Sequence, residues 1–288
     1  MSVKIFQNYQ GFSVKIDGQC YIFVEETTES INADPSEIGG TYDSCLECTL
    51  ESSSSSLDSS SSSSSSGFFP YDIADIQLWL DAADSNTITE SSGSVSQWDD
   101  KSGNDNDVTQ GTGSLQPTYQ TNVQNGNNII RWDGGDYMDK DPYTWPQDDI
   151  TMFIVQKRSV TTASYPIFSN PREVNRIGCH LTWSTGDGYF DFGEWSAGGR
   201  CQWSWTGGNN WNYFTMRNED GVGQNVWMNG TSQFSDLTTN DFANPSNYSL
   251  RIGETFNGDI GEIIIYNRAL TTSERLQVED YLSDKWGI

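Results

Sequence analysis

"IGETFNGDIGEIIIYNRALTTSERLQVEDYLSDKWGI", residues 252–288, changes its periodicity halfway. "IGEIIIYN" is a short apolar, β-branched run behind Gly-rich residues, which predicts a strand. After it, Thr271 stands three residues before Glu274, the spacing of a capping box. Val278, Tyr281, Leu282 and Lys285/Trp286 then fall on one side at spacings of three and four. This pattern predicts one helix, packed as a cover on the edge of a sheet.

Upstream of that helix the chain reads as strands. "IQLWLDA", "VSQWDD", "NIIRWDG", "ITMFIVQKR", "IGCHLTW", "GYFDFGEW", "RCQWSW", "WNYFTMRN", "QNVWMNG" and "YSLRIGE" are short runs separated by Gly-, Asn- and Asp-rich turns. Evenly spaced strands with no helices between them predict a sandwich or barrel rather than βαβ units. Residues 71–288 are enough for one large sandwich. Eleven Trp, thirteen Tyr and thirteen Phe fit such pleated, half-buried surfaces.

Two further segments precede the sandwich. Residues 1–49 contain "GFSVKIDGQCYIFVEE", where Asp17-Gly18 between alternating runs predicts a two-residue hairpin. A unit this small is near the lower limit for its own core and calls for a staple. Cys20, Cys45 and Cys48 are the candidates for a structural disulfide. Three cysteines without a fourth ligand make a poor zinc site. Residues 50–70 are a Ser-rich linker, too polar to bury surface and so unable to offset the entropy of ordering. About seventeen such residues span roughly 20–25 Å.

The formal net charge is −25, with 15 Lys and Arg against 40 Asp and Glu. That balance excludes nucleic acid as a partner, because binding it needs a basic footprint. A single histidine, His180, argues against chemistry built on imidazole. No apolar run approaches the ~18 residues of a membrane span, so no membrane insertion is expected. The first residues lack the pattern of a secretory signal, and the expectation is a chain made in the cytoplasm.

The opening "LWLDAADSNTITESSGSVSQWDDKSGNDNDVTQ", the following "QPTYQTNVQNGNNIIRWDGGDYM" and the closing "RIGETFNGDIGEIIIYNRALTTSERLQVEDYLSDKWGI" together resemble the laminin-G-like, concanavalin A-type jelly roll. The resemblance covers about residues 72–288 and is carried by the two ends. It implies an all-β fold: a two-sheet antiparallel sandwich with a C-terminal helix, preceded by a small β-rich N-terminal domain. It also implies rim loops that bind glycans, in places with Ca²⁺. The segment ending in "YDSCLEC" before a Ser tract resembles small modules found ahead of such domains in phage-encoded proteins.

Some relatives of this fold hydrolyse glycosides with two carboxylates about 5–5.5 Å apart. No Glu in the sequence is followed two residues later by Asp. Asp191 and Glu194, like Asp259 and Glu262, stand three apart and are expected on opposite faces of a regular strand. No enzyme activity is expected. Sugar binding needs an aromatic face with amides and carboxylates around it, and residues 186–214 are densest in these. Trp195 and Trp211, with Asp187, Asn209 and Asn210, are the candidate carbohydrate-binding residues, whereas Trp203 and Trp205 read as core. Asp105 and Asp107 are candidate Ca²⁺ ligands, although "KSGNDNDVT" also reads as a turn whose side chains satisfy backbone groups.

Taken together, a phage virion protein is expected, in capsid decoration, fibre or tail, localised to the virion. Residues 1–49 anchor it to other virion proteins, alone or as a homo-oligomer, and the tether displays a domain that meets cell-surface glycans. The alternatives are an extracellular bacterial carbohydrate-binding protein, a purely structural decoration protein, and, last, a glycoside hydrolase.

Overall fold

A computed structural model describes residues 4–8, 11–16, 19–23, 67–159, 165–171, 175–180, 186–194, 199–205, 208–236 and 248–288. The chain divides into two units, residues 1–64 and 65–288. In the first, β1 (Lys4–Asn8), β2 (Gly11–Ile16) and β3 (Gln19–Phe23) form an antiparallel meander. Ile16 pairs with Gln19, the register that a two-residue hairpin at Asp17-Gly18 requires. Cys45, Cys48 and the Ser-rich segment through residue 66 lie outside the described residues, as does the side chain of Cys20.

The second unit is an antiparallel two-sheet sandwich of jelly-roll type. Its sheet I is centred on β11 (Ile150–Arg158) and β20 (Asn257–Tyr266), which pair with each other. β16 (Asn212–Glu219), β17 (Gly223–Met228) and β18 (Thr231–Asp236) extend it beyond β11. On the other side, β9 (Asn127–Asp133) pairs with the first half of β20 and β4 (Ile76–Asp81) with the second. Sheet II runs β10 (Tyr137–Lys140), β19 (Ser249–Gly253), β12 (Ile167–Asn170), β13 (Asn175–His180), β14 (Asp187–Glu194) and β15 (Arg200–Ser204). Short strands including β6 (Ser94–Trp98) and β7 (Val108–Thr109) close one side between the sheets.

β11 and β20 are apolar on both faces, and the packing explains why. Met152, Ile154, Ile263 and Ile265 face sheet II in the inter-sheet core, with Ile177, Phe190, Phe192 and Ile252 opposite. Phe153, Val155, Ile264 and Tyr266 face the other way, into a second core. The closing helix α1 (Thr272–Trp286) covers this second face with Val278, Leu282 and Trp286, all fully buried. The helix therefore lies over the face of sheet I, not along its edge as the sequence suggested. A strand pair hydrophobic on both sides requires that cover, because bare apolar area costs roughly 25 cal/mol per Å².

A β-bulge corrects a second expectation. Val155 pairs with Glu262 and Gln156 with Ile260, so Gly261 is skipped. The extra residue places Asp259 and Glu262 on one face of β20, where a regular strand would separate them. Gly261 has no alternative there, since a Cβ on it would meet the Trp286 ring at 2.6 Å.

The helix begins as predicted. Thr271 Oγ1 accepts from the Glu274 N–H at 3.3 Å, and Glu274 accepts from the Thr271 N–H at 2.9 Å. Arg268 grips the same carboxylate at 2.7 and 2.8 Å and, as the leading cause, holds Glu274 down to about 2. Thr271→Ala is expected to cost about 1 kcal/mol, read as a lower urea midpoint of the sandwich. No change in the midpoint would mean that Arg268 alone fixes the helix start. No helix among the described residues is long and apolar enough to cross a membrane.

Candidate functional site

The outer face of sheet II turns away from both cores, yet it is dense in ionic and aromatic groups. Strand alternation generates it. Ile177, Cys179, Phe190, Phe192, Cys201 and Trp203 point inward to the inter-sheet core. Arg176, His180, Tyr189, Asp191, Arg200 and Gln202 therefore point outward.

Register then brings the outward residues together. Asp191 pairs with Gly178 on one side and Arg200 on the other, while Tyr189 sits between His180 and Gln202. Gly178 stands opposite Asp191, flanked diagonally by Arg176 and His180, and Phe168 occupies the space above it. A side chain could not replace it, because a Cβ would stand 2.7 Å from the Phe168 Cβ. The Asp191 carboxylate is reached from both neighbouring strands. It accepts from Arg200 Nε at 2.6 Å and Nη2 at 2.8 Å, from Arg176 Nε at 2.7 Å, and pairs with His180 Nε2 at 3.0 Å.

Asp191 is fully buried. Burial alone would raise its pKa, but the hydrogen bonds from Arg200 and His180 and the surrounding charge hold it well below the usual carboxylate range. Burial pushes His180 down, against the pull of Asp191. The group is thus a carboxylate with two guanidiniums and an imidazole that favours its neutral form. A carboxylate with both oxygens engaged and so low a pKa is a weak base and a poor nucleophile. What it does well is fix its neighbours in place.

Aromatic rings are set around this clamp. Tyr165 lies 4.1 Å from the His180 ring, and Arg200 lies 4.8 Å over Tyr189. Farther along the face, Arg251 covers Tyr137 at 4.0 Å and forks onto Asp139 with both contacts at 2.7 Å. At the opposite end the exposed Gln202 donates from Nε2 to Asp187 Oδ2 at 3.0 Å.

The residues singled out from sequence are divided by the fold. Asp187 is on this outer face and half-buried. Trp211 is half-buried on the helix side of sheet I, with one face stacked on Trp286 at 6.1 Å. Asn209 and Asn210 are exposed in the turn before β16. Trp195 lies outside the described residues. Trp203 is core, and Trp205 packs against the core and stacks on Phe214.

Asp107 Oδ1 accepts from the Asp100 N–H at 2.8 Å, a turn-forming bond, and Asp105 is exposed with φ +55°. Among the described residues, no three His, Cys, Asp or Glu side chains are grouped so as to hold a metal. Cys179 and Cys201 are buried free thiols, and burial pushes both up. The two acids that the bulge brings to one face of β20 are each engaged, Asp259 by Arg131 at 2.6 and 3.0 Å and Glu262 by α1 and Trp79.

Sequence reasoning did not find Arg176, His180, Asp191 and Arg200 as a group. Their shared outward parity in "RIGCH", "YFDF" and "RCQW" is the only local signal. The pairing register that assembles them is non-local.

Solved structures share this fold. Domain 4 of AbnA, a GH43 extracellular arabinanase from Geobacillus stearothermophilus, in complex with arabinotriose, matches with a TM-score of 0.52 at 17% identity, over 71% of this chain and 97% of that domain. The binding domain of Paraclostridial Mosquitocidal Protein 1 matches with a TM-score of 0.54 at 15% identity, over 76% of this chain and 56% of that one. The binding domain of Botulinum neurotoxin DC, in complex with rat synaptotagmin II, matches at 0.50 and 11% identity, over 74% and 52%. The chain thus spans about half the length of these toxin domains. No protein-family model matches the chain, and no curated protein matches it. At these identities the likeness establishes the fold.

Proposed function

We propose that the sandwich is a glycan-recognition module without catalytic activity, displayed on a Ser-rich tether by a small β module that anchors it to a virion. The outer face of sheet II carries the reading. There a buried ionic clamp fixes Arg200, laid over the buried Tyr189 ring, beside Gln202 and Asp187, which supplies planar polar groups for sugar hydroxyls. Such a face is organised before any ligand arrives, which lowers the ordering cost of binding. A domain of this fold solved with arabinotriose supports a carbohydrate as the ligand class.

The test is binding of the full chain to immobilised neutral and acidic oligosaccharides. The double variant Asp187→Ala/Gln202→Ala is expected to bind its best glycan about tenfold more weakly, with its thermal midpoint unchanged. Absence of binding to any glycan would remove the proposal. The anchoring role is supported by the sequence order of β meander, Ser tract and sandwich. It predicts that the full chain cosediments with phage particles and that a chain lacking residues 1–49 does not.

A further inference from the structure

We propose that Arg158 receives the carboxylate of an acidic sugar, so that the glycan taken by this chain contains uronic acid. The inference rests on the glycan-binding reading above and names its ligand class. Every other arginine whose side chain is described pairs with a carboxylate. Arg158, the last residue of β11, has no such partner among the described residues.

Its environment makes that absence costly. Arg158 is only 5% exposed and lies 4.3 Å over the Trp205 ring. Nε donates to the Gly208 carbonyl at 2.7 Å, while Nη1 is buried with no hydrogen-bond partner. A buried cation without a counter-charge is strongly unfavourable, and a bound anion removes the penalty.

A second side chain points to the same ligand. Gln156 stands two residues earlier on the same face of β11, about 7 Å away by strand rise. It is fully buried on that inward face, and among the described residues neither its amide oxygen nor its amide nitrogen is bonded. A guanidinium edge and a free amide at that spacing suit a sugar carboxylate and a neighbouring hydroxyl. The planar fork of arginine favours a planar carboxylate. One unpaired guanidinium among the described residues, on a chain of net charge −25, also favours a monoanion over a polyanion.

The position lies on the inner face of sheet I, at the end of β11, where the inter-sheet space opens beside β15. Trp205, beneath Arg158, donates its backbone N–H to the Gly186 carbonyl at 3.1 Å, next to Asp187. A glycan held by Gln202 and Asp187 reaches it by turning over the end of β15. The exposed residues Gly208, Asn209 and Asn210 stand at this end, where the Gly208 carbonyl holds Nε, and the carboxylate approaches Nη1 past them.

The test titrates the full chain calorimetrically with uronate trisaccharides and with the same sugars after carboxyl reduction, and separately with sodium acetate and sodium sulfate. The uronate is expected to bind at least about tenfold more tightly than its reduced form. Arg158→Gln should abolish that preference. If this variant does not fold, Arg158→Lys, which keeps the charge and loses the fork, should lose most of the preference. Equal binding of uronate and reduced sugar overturns the role of Arg158 while glycan recognition stands. A preference that survives the substitution overturns it as well. Sulfate or acetate bound as tightly as the uronate makes this a simple anion site and overturns the sugar assignment. Binding of neither sugar overturns the role of Arg158, and glycan recognition falls with it only if no immobilised neutral or acidic oligosaccharide binds either.

Discussion

Replacing Glu262 with leucine is expected to destabilise the sandwich by about 3–5 kcal/mol, the usual cost of removing one partner from a buried ionic group. Glu262 is fully buried beneath α1, and four donors converge on its carboxylate. Trp79 Nε1 and the Tyr281 hydroxyl reach Oε1 at 2.7 and 2.8 Å, and Lys285 Nζ and Trp286 Nε1 reach Oε2, both at 2.8 Å. Burial and the nearby Asp81 push Glu262 up, and Lys285 pulls it back. Leucine would strand two indole N–H groups and a phenol at once. Lys285 would keep only Asp81, at 2.6 Å, as a carboxylate partner. All eleven tryptophans lie at residue 79 or later, so tryptophan fluorescence in urea reports the sandwich alone. Glu262→Gln, which keeps one acceptor oxygen, should fall between wild type and leucine. A loss below about 1 kcal/mol for leucine would show that apolar contacts, not this carboxylate, hold the helix down.

The same network marks where sequence reasoning succeeds and where it stops. The helix was legible because its signals are local: Thr271 and Glu274 at cap spacing, then Val278, Leu282 and Trp286 on one stripe. The strands β11 and β20 were legible from their apolar runs. Their two-sided burial was not, because a continuous run does not say what lies on each face. The bulge at Gly261 was equally hidden, and with it the convergence of Asp259 and Glu262. In the candidate site, Asp187 stood out through composition, since amides and aromatics cluster around it in the sequence, and the fold places it on the outer face. Trp211 was singled out by the same signal, yet its ring stacks on Trp286 in the other core. Asp191 was passed over because its only sequence neighbour of interest, Glu194, stands at the wrong spacing. Its real partners come from two other strands and become visible only once Gly178 and Arg200 are known to flank it.

Asp191→Ala is expected to cost about 3–5 kcal/mol, since it leaves Arg176 and Arg200 facing each other across an emptied gap. The dependence on pH separates this effect from a simple cavity. With its pKa depressed in the folded state, Asp191 takes up a proton more readily in the unfolded chain. The clamp's stabilisation is therefore complete above about pH 4 and is lost as pH falls toward the folded value. In Asp191→Ala that acid-side loss is missing, so the stability gap between the two proteins should narrow below about pH 4. Urea denaturation followed by tryptophan fluorescence at neutral pH, and again between pH 4 and 2, measures the gap directly. A cavity left by a small side chain would keep the gap constant across that range, because its cost does not depend on protons. An unchanged gap at the acid end would thus identify packing, rather than charge, as what orders the outer face of sheet II. The rigidity argued for Arg200 as a sugar contact would then lose its physical basis.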